Sequence, residues 1–76
     1  MSEENVRIEL SGDQAIVLFE WLSRFNKQKR QNFEDQAEQR VLWDIEGQLE
    51  RHLVAPFKHE YAALLEKARA RVRDQE

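Results

Sequence analysis

The pattern of apolar and polar positions changes period near the start of the chain. The segment Val-Arg-Ile-Glu-Leu (6–10) alternates strictly between apolar and charged side chains, which is typical of a strand with one buried face. We therefore expect a short strand at about residues 6–10, with its apolar side chains pointing inward. The polar residues 1–4 before it are expected to form a disordered tail.

A helical period follows the strand. Ser11 and Gln14 have the spacing of a capping box, and Asp13 adds negative charge to the first turn, where the helix dipole favours it. Positions 15–25 are apolar nearly all round. A helix is thus predicted at about 12–26, and it should be either central to the fold or covered by a second molecule.

Two further helices are predicted at about 33–52 and 58–73. Asn32 is the expected N-cap of the second helix. Gly47 lies within that helix at a cost of about 1 kcal/mol relative to alanine, and it either permits a close helix crossing or is a tolerated surface glycine. Because Pro56 disfavours helical geometry in the residue before it, residues 53–55 are expected to be extended or in a turn. The apolar positions that keep helical spacing in the second helix are Ala37, Val41, Leu42, Ile45, Leu49 and Leu53.

These elements define a small α+β domain, mostly α, that takes up residues 1–76 as a single unit. One strand alone cannot satisfy its own backbone hydrogen bonds. It should therefore pair either with residues 53–55 or with a second copy of itself across a two-fold axis. Together with the very apolar first helix, this favours a homodimer.

Three stretches resemble short bacterial proteins of unknown function. They are residues 8–25 (IELSGDQAIVLFEWLSRF), residues 35–43 (DQAEQRVLW) and the Leu-Val-x-Pro-Phe joint at 53–57. The resemblance covers most of the chain, but the shared residues are mainly ones that determine the fold and not ones that take part in chemistry. It implies a compact bacterial domain with a strand–helix opening, and it carries over no activity and no functional residue.

Chain length and composition exclude several classes of protein. The chain has 76 residues, no cysteine and a formal net charge of −3. A chain of this length supports one domain with a thin core, and without cysteine it has neither disulfides nor a Cys-based zinc site. There is no apolar run long enough to span a membrane and no signal-peptide pattern at residues 1–5. We expect a soluble cytoplasmic protein.

The sequence offers little material for catalysis or metal binding. Its two histidines, His52 and His59, are separated by Pro56 and belong to neither a Glu-x-x-His nor a His-Glu-x-x-His motif. Two glycines cannot build a phosphate-cradling loop. We therefore expect no enzyme, no catalytic or metal-ligating residue and no cofactor.

Binding to another protein is the favoured function. Trp21 and Trp43 fall off the main helical stripes, so each either completes the core or anchors a partner, and tryptophan is enriched at interface hot spots. The partner would be another protein or a second copy, in a role of immunity, inhibitor or adaptor type. The candidate interface residues are Val6, Ile8, Leu10, Val17, Trp21 and Trp43.

Nucleic-acid binding by a regulatory protein is the alternative. Basic residues gather at 24–30 and 67–73, and if the two groups converged they would form a patch for phosphates. Lysine and arginine near helix C-termini also complement the dipole, which accounts for them without a ligand. The candidate contacts are Arg24, Lys27, Lys29, Arg30, Phe33, Arg69 and Arg73.

Overall fold

The chain folds into three α-helices arranged around the first. A computed structural model describes residues 4–28, 32–53 and 59–74. The helices are α1 (Gly12–Asn26), α2 (Gln36–His52) and α3 (Tyr61–Arg73). α1 packs against both α2 and α3, whereas α2 and α3 make at most a marginal contact with each other in the described part of the chain. The fold therefore has two helix–helix interfaces where a closed three-helix bundle would have three.

The start of α1 is held by the predicted capping box. The Ser11 hydroxyl accepts a hydrogen bond from the backbone N–H of Gln14 at 3.0 Å, and the Gln14 side chain accepts one from the backbone N–H of Ser11 at 2.9 Å. Two donors that would otherwise lack a partner are satisfied in this way. The prediction of a helix at 12–26 with this cap is confirmed.

The start of α2 differs from the prediction. Asp35, not Asn32, is the N-cap, and its carboxylate accepts a hydrogen bond from the backbone N–H of Ala37 at 2.7 Å. The Glu38 carboxylate reaches back to the backbone N–H of Glu34 at 3.0 Å. Because these carboxylates satisfy the first N–H groups, α2 begins at Gln36 and the preceding residues stay outside it.

The segment between α2 and α3 lies mostly outside the described residues. α2 ends at His52, and Leu53 is extended (φ −99°, ψ 135°), as expected shortly before a proline. The rest of the Leu-Val-x-Pro-Phe joint and the predicted start of the third helix at 58 are not described. His59 and Glu60 form a turn and α3 begins at Tyr61, later than expected.

The predicted strand at 6–10, and with it the α+β class, is wrong. The described residues contain no strand, and Val6 and Ile8 are 86% and 80% exposed where an inward orientation was expected. An isolated extended segment needs a neighbour to take up its backbone hydrogen bonds. Leu53 is the only described residue of the proposed pairing segment 53–55, and no backbone hydrogen bond joins it to residues 6–10. The predicted tail falls outside the described residues except for Glu4.

The fully buried core is small and lies between α1 and α3. Among the described residues it consists of Leu22 in α1 and Leu65 and Ala68 in α3, and no residue of α2 is fully buried. The radius of gyration is 14.1 Å, against roughly 11 Å expected for a compact chain of this length. An open arrangement of this kind leaves apolar surface uncovered.

Polar bonds tie α1 to its two neighbours. Arg71 donates from Nε and Nη2 to the carboxylate of Asp13 at 2.8 and 2.9 Å, and the Tyr61 hydroxyl donates to Glu20 at 2.9 Å. These two pairs run in opposite sequence directions, so α1 and α3 are antiparallel. On the other side of α1, the side-chain amide of Asn26 donates to the Glu46 carboxylate of α2 at 2.6 Å.

The same bonds shift the pKa values of three groups. The hydrogen bond from Arg71 lowers the pKa of Asp13, and the carboxylate in turn raises the pKa of the Arg71 guanidinium. Burial, together with the hydrogen bond to Glu20, raises the pKa of Tyr61 to about 12. For each of the three groups, the residue that shifts its pKa lies on the other helix of the α1–α3 interface.

Truncation of the central core residue should unfold much of the chain. Leu22→Ala removes a side chain that is 1% exposed, and such truncations cost about 2–5 kcal/mol, a large part of the stability of a domain this small. Urea unfolding followed by circular dichroism measures the loss. The matched control is Val41→Ala in α2, where the side chain is 55% exposed and the loss should stay within about 1 kcal/mol. Equal losses in the two variants would contradict this account of the core.

Stability should fall as pH rises from 10 toward 12. Folding raises the pKa of Tyr61 from 10.0 to about 12, so its contribution is complete below pH 10 and is lost as the pH rises through the folded-state pKa. Tyr61→Phe removes the titrating group, and its stability deficit relative to the parent chain should shrink over this range. Urea midpoints at about pH 9 and about pH 11.5 test this, and a deficit independent of pH would contradict it.

Candidate interaction surfaces

In the part of the chain that the structure describes, large apolar side chains at the surface outnumber those in the core. Three of these residues form the buried core, whereas six large hydrophobic residues are exposed. Single exposed apolar residues are ordinary, but contiguous groups of them mark sites where other molecules bind. The exposed set is Val6, Ile8, Leu10, Trp21, Val41 and Trp43.

Half of that set lines one groove. The extended N-terminal segment runs beside Leu18 of α1 and Ile45 and Leu49 of α2, and together they enclose about 450 Å³. We call this the N-terminal groove. Its lining residues are Val6, Ile8, Leu10, Leu18, Ile45, Gln48, Leu49 and His52. It is a mainly apolar depression with polar side chains from the last turns of α2, and it is wide enough for apolar side chains of another chain.

An aromatic cluster occupies the C-terminal end of α1. The rings of Trp21 and Phe25 are stacked, with centroids 4.8 Å apart and planes 11° apart, and Phe33 meets Phe25 edge-on at 5.8 Å. Such pairs contribute about 0.5–1.5 kcal/mol beyond their buried area. Trp21 nevertheless remains 44% exposed. One face of the indole therefore packs on Phe25, while the rest of the side chain is accessible to solvent next to the half-buried Val17.

The remaining two exposed residues lie on α2. Trp43 is 49% exposed and Val41 is 55% exposed; being two residues apart, they point to different sides of the helix. Val41 has the helical spacing of the other apolar positions of α2, and sequence reasoning did not identify it as a surface residue. The signal was present, since the residues three positions before and after it, Glu38 and Asp44, are both acidic and both exposed.

Arg24 and Arg71, one from each basic group, lie near opposite ends of α1. Arg24 and Lys27 are at its C-terminal end, whereas Arg71 of α3 is bonded to Asp13 at its N-terminal end. Eleven residues of helix separate Asp13 from Arg24, which is about 16 Å. The structure thus keeps these two arginines apart. Lys29 and Arg30 lie outside the described residues.

Several of the candidate nucleic-acid contacts also have partners within the chain. Arg24, Arg69 and Arg73 each lie within 4 Å of a carboxylate, at 3.7, 3.8 and 3.4 Å from Glu20, Glu66 and Asp74. Phe33 packs its ring against Phe25. Lys27 is exposed and caps α1 with its backbone N–H.

The described residues contain neither a cluster of metal ligands nor a helix that could span a membrane. In residues 4–28, 32–53 and 59–74 no three side chains of the His, Asp or Glu type come together in a way that would hold a metal ion, and His52 and His59 are both exposed. None of the described helices has the length and apolar character needed to cross a bilayer.

Comparison with known proteins gives no match: no family model, no curated protein and no solved structure is similar to this chain. The resemblance of residues 8–25, 35–43 and 53–57 to short bacterial proteins therefore stays a hypothesis.

The two tryptophans should contribute unequally to stability. Trp21→Ala removes the stack on Phe25, so it should lower the free energy of unfolding by about 1–2 kcal/mol more than Trp43→Ala. Urea unfolding at low protein concentration, followed by far-ultraviolet circular dichroism, provides the comparison. Similar losses in both variants would mean that the stacked ring is not part of the folded unit.

Proposed function

We propose that this chain is a small, non-enzymatic protein-interaction module. It acts by covering its exposed apolar side chains against another protein chain, in a role of immunity, inhibitor or adaptor type. One observation carries the proposal: among the described residues, six large hydrophobic side chains are exposed and only three residues form a buried core. Cytoplasmic location stays a prediction from the sequence.

The N-terminal groove supports the proposal through its shape and chemistry. Apolar side chains from the extended segment, α1 and α2 line the same depression. Covering apolar surface contributes roughly 25 cal/mol per Å², and two nearly fully exposed residues, Val6 and Ile8, would contribute most. An apolar segment or helix face of a partner protein fits this description.

Exposed aromatic rings support a protein partner in particular. Tryptophan concentrates binding energy in protein interfaces because it buries a large rigid area at small entropic cost. Trp21 is held in place by Phe25, so little conformational freedom would be lost when a partner covers it. Preorganisation of this kind favours binding.

Nucleic acid is the other class of partner considered. Its support is weaker, because Arg24 and Arg71 lie far apart and four arginines of the two basic groups already lie near carboxylates. The net charge of −3 also opposes general attraction to a polyanion.

Salt dependence separates these two classes. Sedimentation of the full chain and pull-down of host proteins on the immobilised chain should reveal association that persists from about 0.1 M to about 1 M NaCl, because apolar burial is not screened by salt. Binding to a DNA or RNA oligonucleotide, seen as an electrophoretic shift, would weaken steeply over that range.

A pair of surface variants tests whether the apolar side chains are responsible. Val6→Ser with Ile8→Ser should reduce salt-resistant association at the N-terminal groove, whereas Ala62→Ser with Ala63→Ser, on the exposed side of α3, should leave it unchanged. Equal helicity in both variants would establish that folding is intact. A parent chain that stays monomeric and retains no host protein at high salt would refute the proposal.

A further inference from the structure

Gly47 of α2 has no evident structural role in the described part of the chain. Its φ is not positive, and among the described residues a Cβ atom placed there would meet only the Arg51 guanidinium, at 4.0 Å. Neither backbone conformation nor crowding by these residues requires glycine at this position, and glycine lowers helix stability by about 1 kcal/mol relative to alanine. A contact with another molecule would give the glycine a role.

Trp43 lies on the same side of α2, one turn before Gly47, and is 49% exposed. Both belong to a row of positions that we call the outer stripe of α2: Gln36, Arg40, Trp43, Gly47 and Glu50. The steps along this row are four, three, four and three residues, which is the spacing of a helix–helix seam. All five are exposed except Gly47, which is half-buried, so α1 and α3 leave the stripe available.

We propose that the outer stripe is the contact surface of a homodimer in which the α2 helices of two chains pack antiparallel. Trp43 of each chain lies over the partner's Gly47, where the missing side chain lets the indole approach the helix backbone. This inference rests on the proposed function and names its partner as a second copy of the chain. Aromatic side chains of this size bury about 150–250 Å² when covered, and the two-fold axis doubles each contact.

The charges on the outer stripe select this partner and this orientation. An antiparallel pair that sets Trp43 over the partner's Gly47 also sets Arg40 beside the partner's Glu50, and Glu50 beside the partner's Arg40. Both residues are exposed, and neither forms an ion pair within the described part of the chain. One two-fold axis thus satisfies the aromatic contact and both charge pairs.

A parallel pair would satisfy none of these requirements. It would place Arg40 against the partner's Arg40, Glu50 against the partner's Glu50, and the two indoles against each other while the two glycines faced a gap. Like charges that face each other across an interface are strongly unfavourable. The parallel arrangement also aligns the two helix dipoles in the same direction, whereas the antiparallel one opposes them.

Charge reversal provides the sharpest test. Arg40→Glu and Glu50→Arg should each weaken self-association at least about tenfold, because each creates like-charge contacts across the axis. The two variants mixed together should associate again, since every contact between positions 40 and 50 then joins opposite charges. The double variant should also recover. Sedimentation equilibrium over a range of concentrations measures all four cases.

The two glycines of the chain supply a matched pair. Gly47→Ala should raise the thermal stability of the dilute monomer, because alanine favours the helix and nothing within the chain blocks the added methyl group. The same change should weaken self-association, since the methyl group occupies the place of the partner's indole. Gly12→Ala adds a methyl group in open space at the start of α1 and should leave association unchanged.

The outcomes separate this inference from the proposed function. If the parent chain dimerises but only Val6→Ser with Ile8→Ser disrupts it, the second copy docks at the N-terminal groove and the α2 seam is refuted. If the parent chain stays monomeric at high concentration, the seam is refuted as well, while the pull-down still decides whether the chain binds other proteins. Failure of the mixed charge variants to re-associate would refute the antiparallel register.

Discussion

The burial of α1 between α2 and α3 is the constraint on which the rest of the molecule depends. α1 is the helix that touches both others, and Leu22 at its centre is almost completely buried. A helix that is apolar nearly all round cannot be stable unless several of its sides are covered. Once α2 and α3 take up two of those sides, they have little contact with each other, and their own outer surfaces stay open. The exposure of Val41 and Trp43 on α2 is a consequence of this arrangement.

Specific polar contacts fix how the outer helices sit on α1. Apolar packing is tolerant of sliding, whereas a bidentate pair such as Asp13–Arg71 has one good geometry. With Tyr61–Glu20 it sets the antiparallel register of α3 at two levels, and Asn26–Glu46 joins α2 to α1 at one point. The exposed ion pair between Asp13 and Arg71 contributes little to the free energy of unfolding. Its main effect is to select one position of α3 on α1. A buried oxygen of Asn26 has no partner in the described residues, and we have no physical account of it.

Local sequence signals predicted the helices well and the long-range features poorly. The capping box at Ser11 and the apolar run after it depend only on neighbouring residues, and α1 has the expected bounds. The strand at 6–10 was wrong because a period of two indicates an extended backbone, while a strand also needs a partner that local sequence does not identify. The helical spacing of Val41 does not show whether it is buried, because burial depends on which side of α2 another helix covers, and Val41 is 55% exposed. The N-terminal groove joins residues 6–10 to α1 and α2, which lie far apart in the sequence, so Val6, Ile8 and Leu10 could be named individually but the groove could not be predicted.

A sequence that specifies one structure satisfies local and global requirements together, and departures from local preference tend to mark functional positions. Gly47 is such a departure, since every other residue of α2 has a higher helix propensity than glycine and nothing in the described part of the chain requires a glycine there. Exposure of Trp43 one turn earlier is a second departure on the same surface. The proposed contact between two α2 helices would account for both departures and for the exposed cation and anion that flank them.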